Sequence, residues 1–298
     1  MPLVVCVDVE PDERAVDPSS PSWSGFELLL ERVGELRDRI AAIAEGPTVI
    51  SWFVRADPQI AEVHGDPGWA FEHYADELER LRAAGDEIGI HAHAWRREDD
   101  GDWIVDHADA AWVEHCFATA LEAYRQAFGE PPASARGGDR FTNEHAIELL
   151  DRSGVTADVT VEPRTGPALG VAPGERVTGT LPDYADAPEV VYRPAVGDFL
   201  RPAEGDGRRL TMIPLTAGGP EALYPWMDRY VFSARLNERL AEGAGTHLAF
   251  AVRSDVTLVD VHWERTLDNL AIVPHVAGVL CYRRSRTMTA AELAGPRR

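Results

Sequence analysis

Short apolar runs rich in Val, Ile and Phe alternate with longer amphipathic stretches along the chain, and this alternation limits the fold more than any other feature. Leu3 to Val9 is the first run. Phe26 to Ala44 follows, with Leu29, Leu30, Val33, Leu36, Ile40 and Ile43 at helical spacing, until Gly46-Pro47 breaks it. Thr48 to Val54 predicts a second strand, Ala70 to Ala84 a helix closed by Gly85, and Glu87 to His91 a third strand. Helices over Ala108–Phe128 and Thr142–Ser153, the second with Thr142 as N-cap, flank a short strand at Ala133–Arg136. Further strands are expected at Val155–Val161, Leu210–Leu215, His247–Val252 and Val279–Tyr282, with helices over Pro220–Glu242 and from Glu264 onward. Pro163 to Arg208 is rich in Pro and Gly, has β-like pieces only at Val190–Tyr192, and reads as a long loop or insertion.

Strand and helix repeat without a break in composition, so residues 1–298 are expected to form one α/β domain with mostly parallel strands. Roughly seven or eight such units is the size of a barrel. A doubly wound open sheet competes, but no G-x-G-x-x-G follows the first run.

Charge narrows the partners. Lys and Arg total 29 against 50 Asp and Glu, a formal charge of −21, which repels phosphate backbones and anionic headgroups. Nucleic acid and membrane surfaces are therefore not expected as partners, and no apolar run reaches the ~18–20 residues of a bilayer span. MPLVVCVDVE has no basic n-region, long apolar core or small-residue cleavage site, so a cytoplasmic protein is expected. Cys6, Cys116 and Cys281 are odd in number and far apart, and are expected to be small buried hydrophobes rather than disulfides or thiolate ligands.

Chemistry in parallel α/β folds sits where strands end. The first run ends in Asp8-Val9-Glu10, and i, i+2 spacing turns both carboxylates to one side; a solvated or capping acid pair is the plainer alternative. The third ends in His91-Ala92-His93, again i, i+2, which with a carboxylate makes a ligand set for zinc. The fourth leads into Arg136-Gly137-Gly138-Asp139-Arg140. Arg136 could orient a carboxylate or simply lie on a glycine turn, and the two glycines allow backbone to pass close to a ligand. His64, His73, His107, His115 and His145 are expected in surface or capping roles, and Asp99-Asp100-Gly101-Asp102 as a solvated turn.

These clusters follow one another as in the polysaccharide deacetylase (NodB-homology, carbohydrate esterase 4-like) family. VCVDVEPDE resembles its acidic first motif, LRAAGDEIGIHAHAW its histidine motif, and ARGGDRFTNEHAIELLDRSGVTADVTV its arginine motif. TVISWFVRAD resembles its second strand and MIPLT a later one. The resemblance implies an irregular (β/α)7-type barrel and metal-dependent hydrolysis of an N-acetyl or similar amide on an amino-sugar-like small molecule or short saccharide. It implies Asp8 as base, Glu10 and His91 as ligands of a divalent ion, and Arg136 as the residue that orients Asp8; the strand spacing adds His93 to the ligand set, which suits zinc. The chain departs from the pattern at three places. Trp95 stands where the second histidine is usual, so His93 must serve. Val9 separates acids that are usually adjacent, so the roles of Asp8 and Glu10 could be exchanged. Arg253 occupies the place of the general-acid histidine at the end of THLAFAVRSD, and guanidinium does not release a proton usefully at neutral pH. Asp8 would then shuttle the proton both ways, or His262 would supply it. A non-catalytic binder holding an anion on Arg136 and Arg253, and a cyclic-amide hydrolase, are the alternatives.

Overall fold

The computed structural model describes residues 2–41, 47–170, 172, 174–205, 207–241, 247–271 and 286–295. The first half runs β1 (Pro2–Val9), α1 (Ser24–Ala41), β2 (Ser51–Arg55), α2 (Pro58–His64), α3 (Trp69–His73), α4 (Ala75–Ala83) and β3 (Glu87–Ala92). A hairpin of β4 (Trp95–Arg97) and β5 (Trp103–Asp106) precedes α5 (Ala110–Phe128), β6 (Ser134–Gly137), α6 (Glu144–Arg152) and β7 (Ala157–Asp158). The Pro/Gly-rich connection carries β8 (Val177–Thr178) and a hairpin of β9 (Pro194–Ala195) and β10 (Asp198–Pro202). Then come β11 (Thr211–Met212), the hairpin β12 (Ala217–Gly218) and β13 (Glu221–Ala222), α7 (Arg229–Ala241), β14 (Leu248–Arg253), α8 (Val256–Val261), a helix α9 over 263–271, β15 (Arg286–Thr287) and α10 (Ala290–Ala294). No helix of the described residues is long and apolar enough to cross a membrane.

Seven strands form one curled sheet in the order β11-β7-β6-β3-β2-β1-β14, every pairing parallel, with β15 added beside β1. This is the expected irregular (β/α)7 arrangement. Its edges approach where the chain leaves β11: Thr216 N donates to Ala249 O and Ala249 N to Thr216 Oγ1, both at 2.9 Å, which ties that segment to β14.

Period-2 alternation divides each strand between two cores. Leu3, Val5, Val7 and Val9 of β1 face the helices, as do Trp52 and Val54 of β2, Ile88 and Ile90 of β3, and Leu248, Phe250 and Val252 of β14. Val4, Cys6, Phe53, Ala249 and Ala251 face the interior, closed below by Ala290 of α10. The inner rows are small at the base, and at the carboxyl ends they become polar: Asp8 and Glu10 follow Cys6, Arg55 follows Phe53, His91 and His93 follow Gly89, Arg253 follows Ala251.

Several boundaries differ from expectation, some through tertiary contacts and some through local capture. The 48–54 strand begins at Ser51, because Ile50 N is taken by the Asp86 carboxylate at 3.0 Å. The 70–84 helix breaks at Tyr74 (φ −105°, ψ 27°), whose hydroxyl donates to Glu27 and whose ring packs edge-on against Phe26. Asn143, not Thr142, caps α6, its carboxamide oxygen accepting from Ala146 N at 2.8 Å. The 155–161 strand shrinks to Ala157–Asp158, since the Asp158 side chain captures Thr160 N and Oγ1. The 210–215 strand keeps two residues before Pro214, and Val190–Tyr192 contributes one bridge, from Tyr192 to Met212. The Pro220–Glu242 helix starts only at Arg229, the residues before it forming β12 and β13. Cys6 and Cys116 are buried free thiols; Cys281 and the strand expected at Val279–Tyr282 lie outside the described residues.

Gly25 lets the start of α1 lie on the loop after β14. A Cβ there would sit 2.0 Å from Ser254 O and 2.3 Å from Val256 N, both backbone atoms. Gly25→Ala is expected to lower stability by at least ~2 kcal/mol, read from urea unfolding midpoints.

Candidate functional site

The carboxyl ends of β1, β3, β6 and β14 open on one cavity of about 340 Å³. Asp8, Glu10, His91, His93, Arg136 and Arg253, the residues singled out from the sequence, all line it. His262 does not; it terminates α8.

Glu10, His91 and His93 converge. His93 Nε2 lies 3.1 Å from Glu10 Oε2 and 2.9 Å from His91 Nε2, and His91 Nε2 lies 4.0 Å from Glu10 Oε2. Each ring has a polar neighbour behind it. His91 Nδ1 stands 2.9 Å from the Arg136 carbonyl, which can only accept, so its proton belongs on Nδ1 and the lone pair on Nε2. His93 Nδ1 stands 3.1 Å from Asp139 Oδ2, within ion-pair reach though off the line of a hydrogen bond. That carboxylate favours the same tautomer. Two Nε2 lone pairs 2.9 Å apart need a proton or a cation between them. Glu10 Oε2, buried and without a hydrogen-bond partner, faces the same point. The donors fit a divalent ion: two imidazoles and a carboxylate, mutually close enough to share one centre, with the cavity open beside them.

Guanidiniums hold the acids. Arg136 Nε donates to both Asp8 oxygens, at 2.8 and 3.1 Å, while Nη1 donates to Val159 O at 2.7 Å. Arg253 Nε donates to Glu10 Oε1 at 2.7 Å, leaving Oε2 for the histidines. Burial alone would raise the Glu10 carboxyl, but Arg253 and His93 hold it well below the usual carboxylate range. Burial pushes His91 down to about 4. Burial and Arg55 also pull His93 down, yet Asp139 and Glu10 outweigh them and leave it raised.

Sequence reasoning passed over several residues that build the site. Asp139, inside the quoted GGDR string, lies at φ 54° and Arg140 after it at φ 50°, a left-handed pair that costs roughly 1–3 kcal/mol per residue. The turn is held by Arg14, 2.6 Å from Asp139 and paired also with Glu175. Gly138 is required beneath His93, since a Cβ there would lie 2.2 Å from the ring. Asp57 caps α2 with Oδ1 and takes His93 N on Oδ2 at 3.0 Å, fixing the strand end that carries the second imidazole. Glu162 and Tyr224, hydrogen-bonded at 2.7 Å, form the far wall with Trp226. Only Asp139 left a signal, as the polar residue of a glycine turn beside Arg136. Trp95 is buried under the Arg14 guanidinium, 5.8 Å from its ring centre, and lies away from the cavity lining. His107 is buried, stacked face to face on Phe141 at 3.9 Å, and so has neither the surface nor the capping role expected of it. His64 and His73 stack on the two flanks of Trp69, outside the site.

No family model matches the chain, and no curated protein matches it. Solved structures do. A protein from Parabacteroides distasonis provisionally named a glycoside hydrolase/deacetylase superposes with a TM-score of 0.60 at 14% identity, over 98% of this chain and 69% of that one. A provisionally named polysaccharide deacetylase from Mycobacterium smegmatis gives 0.54 at 16% identity, over 98% and 88%. Puue allantoinase gives 0.54 at 14%, over 98% and 88%. The chain has their fold.

Gly138→Ala is expected to leave the circular dichroism spectrum unchanged while displacing His93, lowering zinc affinity about 10–100-fold in chelator competition. Burial pushes His107 down to about 4, whereas an unfolded histidine takes its proton near 6.5. Stability is therefore complete above about pH 6.5 and falls as pH drops toward about 4. His107→Phe, which keeps the stacking, is expected to flatten that loss in urea titrations at successive pH values.

Proposed function

We propose that the protein is a metal-dependent amide hydrolase that removes an acyl group, such as acetyl, from the nitrogen of an amino-sugar-like small molecule or short saccharide. The observation that carries this reading is the pair of Nε2 atoms facing each other at 2.9 Å beside Glu10 Oε2, which has no hydrogen-bond partner, each ring backed at Nδ1. Glu10, His91 and His93 would hold the ion, with zinc the natural occupant of such a set. When bound, a divalent ion supplies Lewis-acid polarisation of water and of an amide carbonyl.

The chain's own residues do the rest. Asp8 is the base: it lines the cavity 4.0 Å from His91 Nδ1, and Arg136 fixes the direction of its carboxylate. It takes a proton from the attacking water and returns it to the departing nitrogen. Arg253 is a positioning residue, because it grips Glu10 and cannot act as an acid. The bond from Arg253 supports one assignment of the two acids: Glu10, turned toward the histidines, as the ligand, and Asp8 as the base. The earlier alternative, an anion binder using Arg136 and Arg253, loses support, since both guanidiniums already serve internal carboxylates. Cyclic amides remain in the same reaction class, and Puue allantoinase shares the fold.

Elemental analysis of protein purified without chelator is expected to find close to one divalent ion per chain, lost in the His91→Ala, His93→Ala double variant. Asp8→Asn is expected to keep the ion while kcat on N-acetylated sugars or cyclic amides falls about 10²–10⁴-fold. A wild-type protein that takes up no zinc, manganese or cobalt would sink the reading.

A further inference from the structure

Into a chain of net charge −21 the cavity draws four guanidiniums, from Arg14, Arg136, Arg140 and Arg253. Three are committed. Arg14 pairs with Asp139 and Glu175, Arg136 with Asp8 and Glu162, Arg253 with Glu10. Arg140 has no carboxylate within ion-pair reach among the described residues. The acid across the cavity is spent elsewhere: Glu162 accepts from the Tyr224 hydroxyl with Oε2 and faces Arg136 with Oε1.

The side chain is also presented with care. Arg140 follows Asp139 in the left-handed region, a conformation that L-residues adopt only where the surroundings enforce it. Here they do. Phe141 N donates to Gly138 O at 2.8 Å, the Tyr184 hydroxyl donates to Arg140 O at 3.0 Å, and Asp139 is pinned between Arg14 and His93. One strained turn thus backs His93 and directs Arg140 into the same cavity. Opposite, Tyr224 and Trp226 stack at 4.5 Å and 19°, and Asn269 holds the carbonyls of Pro225 and Met227 on either side, so the aromatic wall is flat and fixed.

We propose that Arg140 is a substrate anchor, and that the cavity selects N-acylated compounds carrying an anionic group, a carboxylate or a phosphate, with a flat face laid against Trp226. The proposal rests on the amide-hydrolase reading for the acyl group, and on Arg140 alone for the anion, since the other three guanidiniums are paired with carboxylates. A guanidinium with no carboxylate within ion-pair reach among the described residues, and only the longer-range charge of Glu162 on it, matches the paired oxygens of carboxylate and phosphate.

The test is calorimetric binding to the zinc-loaded full chain, with two matched pairs: N-acetylglucosamine 6-phosphate against N-acetylglucosamine, and N-acetylphenylalanine against its carboxamide. The wild type is expected to bind at least one anionic member about tenfold or more tightly than its neutral mate. Whichever pair shows it tells phosphate from carboxylate. Arg140→Gln is expected to abolish that preference and Arg140→Lys to restore part of it, with zinc content unchanged in both. Equal affinity for both members of both pairs in the wild type, or a preference that survives Arg140→Gln, overturns the proposal. Zinc content and amide hydrolysis measured on the same samples keep the two readings apart. Charge preference without zinc uptake defeats the hydrolase, whereas zinc uptake and hydrolysis without charge preference defeat only the anchor.

Discussion

Two carboxylates placed two residues apart on one buried strand would repel each other and lose their hydration together, and the site exists because each has a guanidinium of its own. Arg136 reaches Asp8 from β6, two strands beyond β1's neighbour, and Arg253 reaches Glu10 from the adjacent β14. Removing either partner would strand a charge in the interior, a far larger penalty than the pair's net contribution to stability. The pairing also divides labour. Glu10 spends one oxygen on Arg253 and turns the other toward the imidazoles, whereas Asp8 has both oxygens on Arg136 and faces the cavity.

The same logic extends outward from the histidines. Each ring is braced from behind, by a backbone carbonyl for His91 and by Asp139 for His93, so that neither can rotate without breaking a buried polar contact. Asp139 is in turn held by Arg14, and the turn that carries it tolerates no Cβ at Gly138. Precision at the strand ends is therefore set by residues that touch no ligand, and it is achieved at the expense of local backbone comfort at Asp139 and Arg140.

Much of this was legible in the sequence because a parallel barrel writes itself in period two. Cys6-x-Asp8-x-Glu10 and Gly89-x-His91-x-His93 state both the inner face and the point where it turns polar, and the strand ends then supply Arg136 and Arg253. What was not legible depends on contacts between distant segments. Tyr74 interrupts a helix that its own neighbours would continue, because Phe26 and Glu27 offer it a better place. Glu162, Tyr224 and Trp226 come from irregular stretches whose positions are settled only when the ring closes. Two departures are local instead: Asp158 captures Thr160 and shortens β7, and a tight turn at Gly219 (φ 73°) makes a hairpin where a long helix was expected to start. Asp139 could have been suspected from its turn, but nothing in a single chain marks a non-glycine residue as left-handed.

Among the described residues the join to β14 is a short stitch, between Thr216 and Ala249 and between the Pro214 carbonyl and His247 Nε2, instead of a ladder. Register among the remaining strands is consequently indifferent to what the polypeptide does immediately past that stitch. The segment past it carries Tyr224, tied back to Arg136 through Glu162, and Trp226, which lines the cavity from outside the strands that carry Glu10, His91 and His93. On the proposed reading, exchange at Trp226 alters what lies against that wall while the strand ends go on presenting the acids and imidazoles, whereas exchange at Tyr224 is felt as far as Asp8.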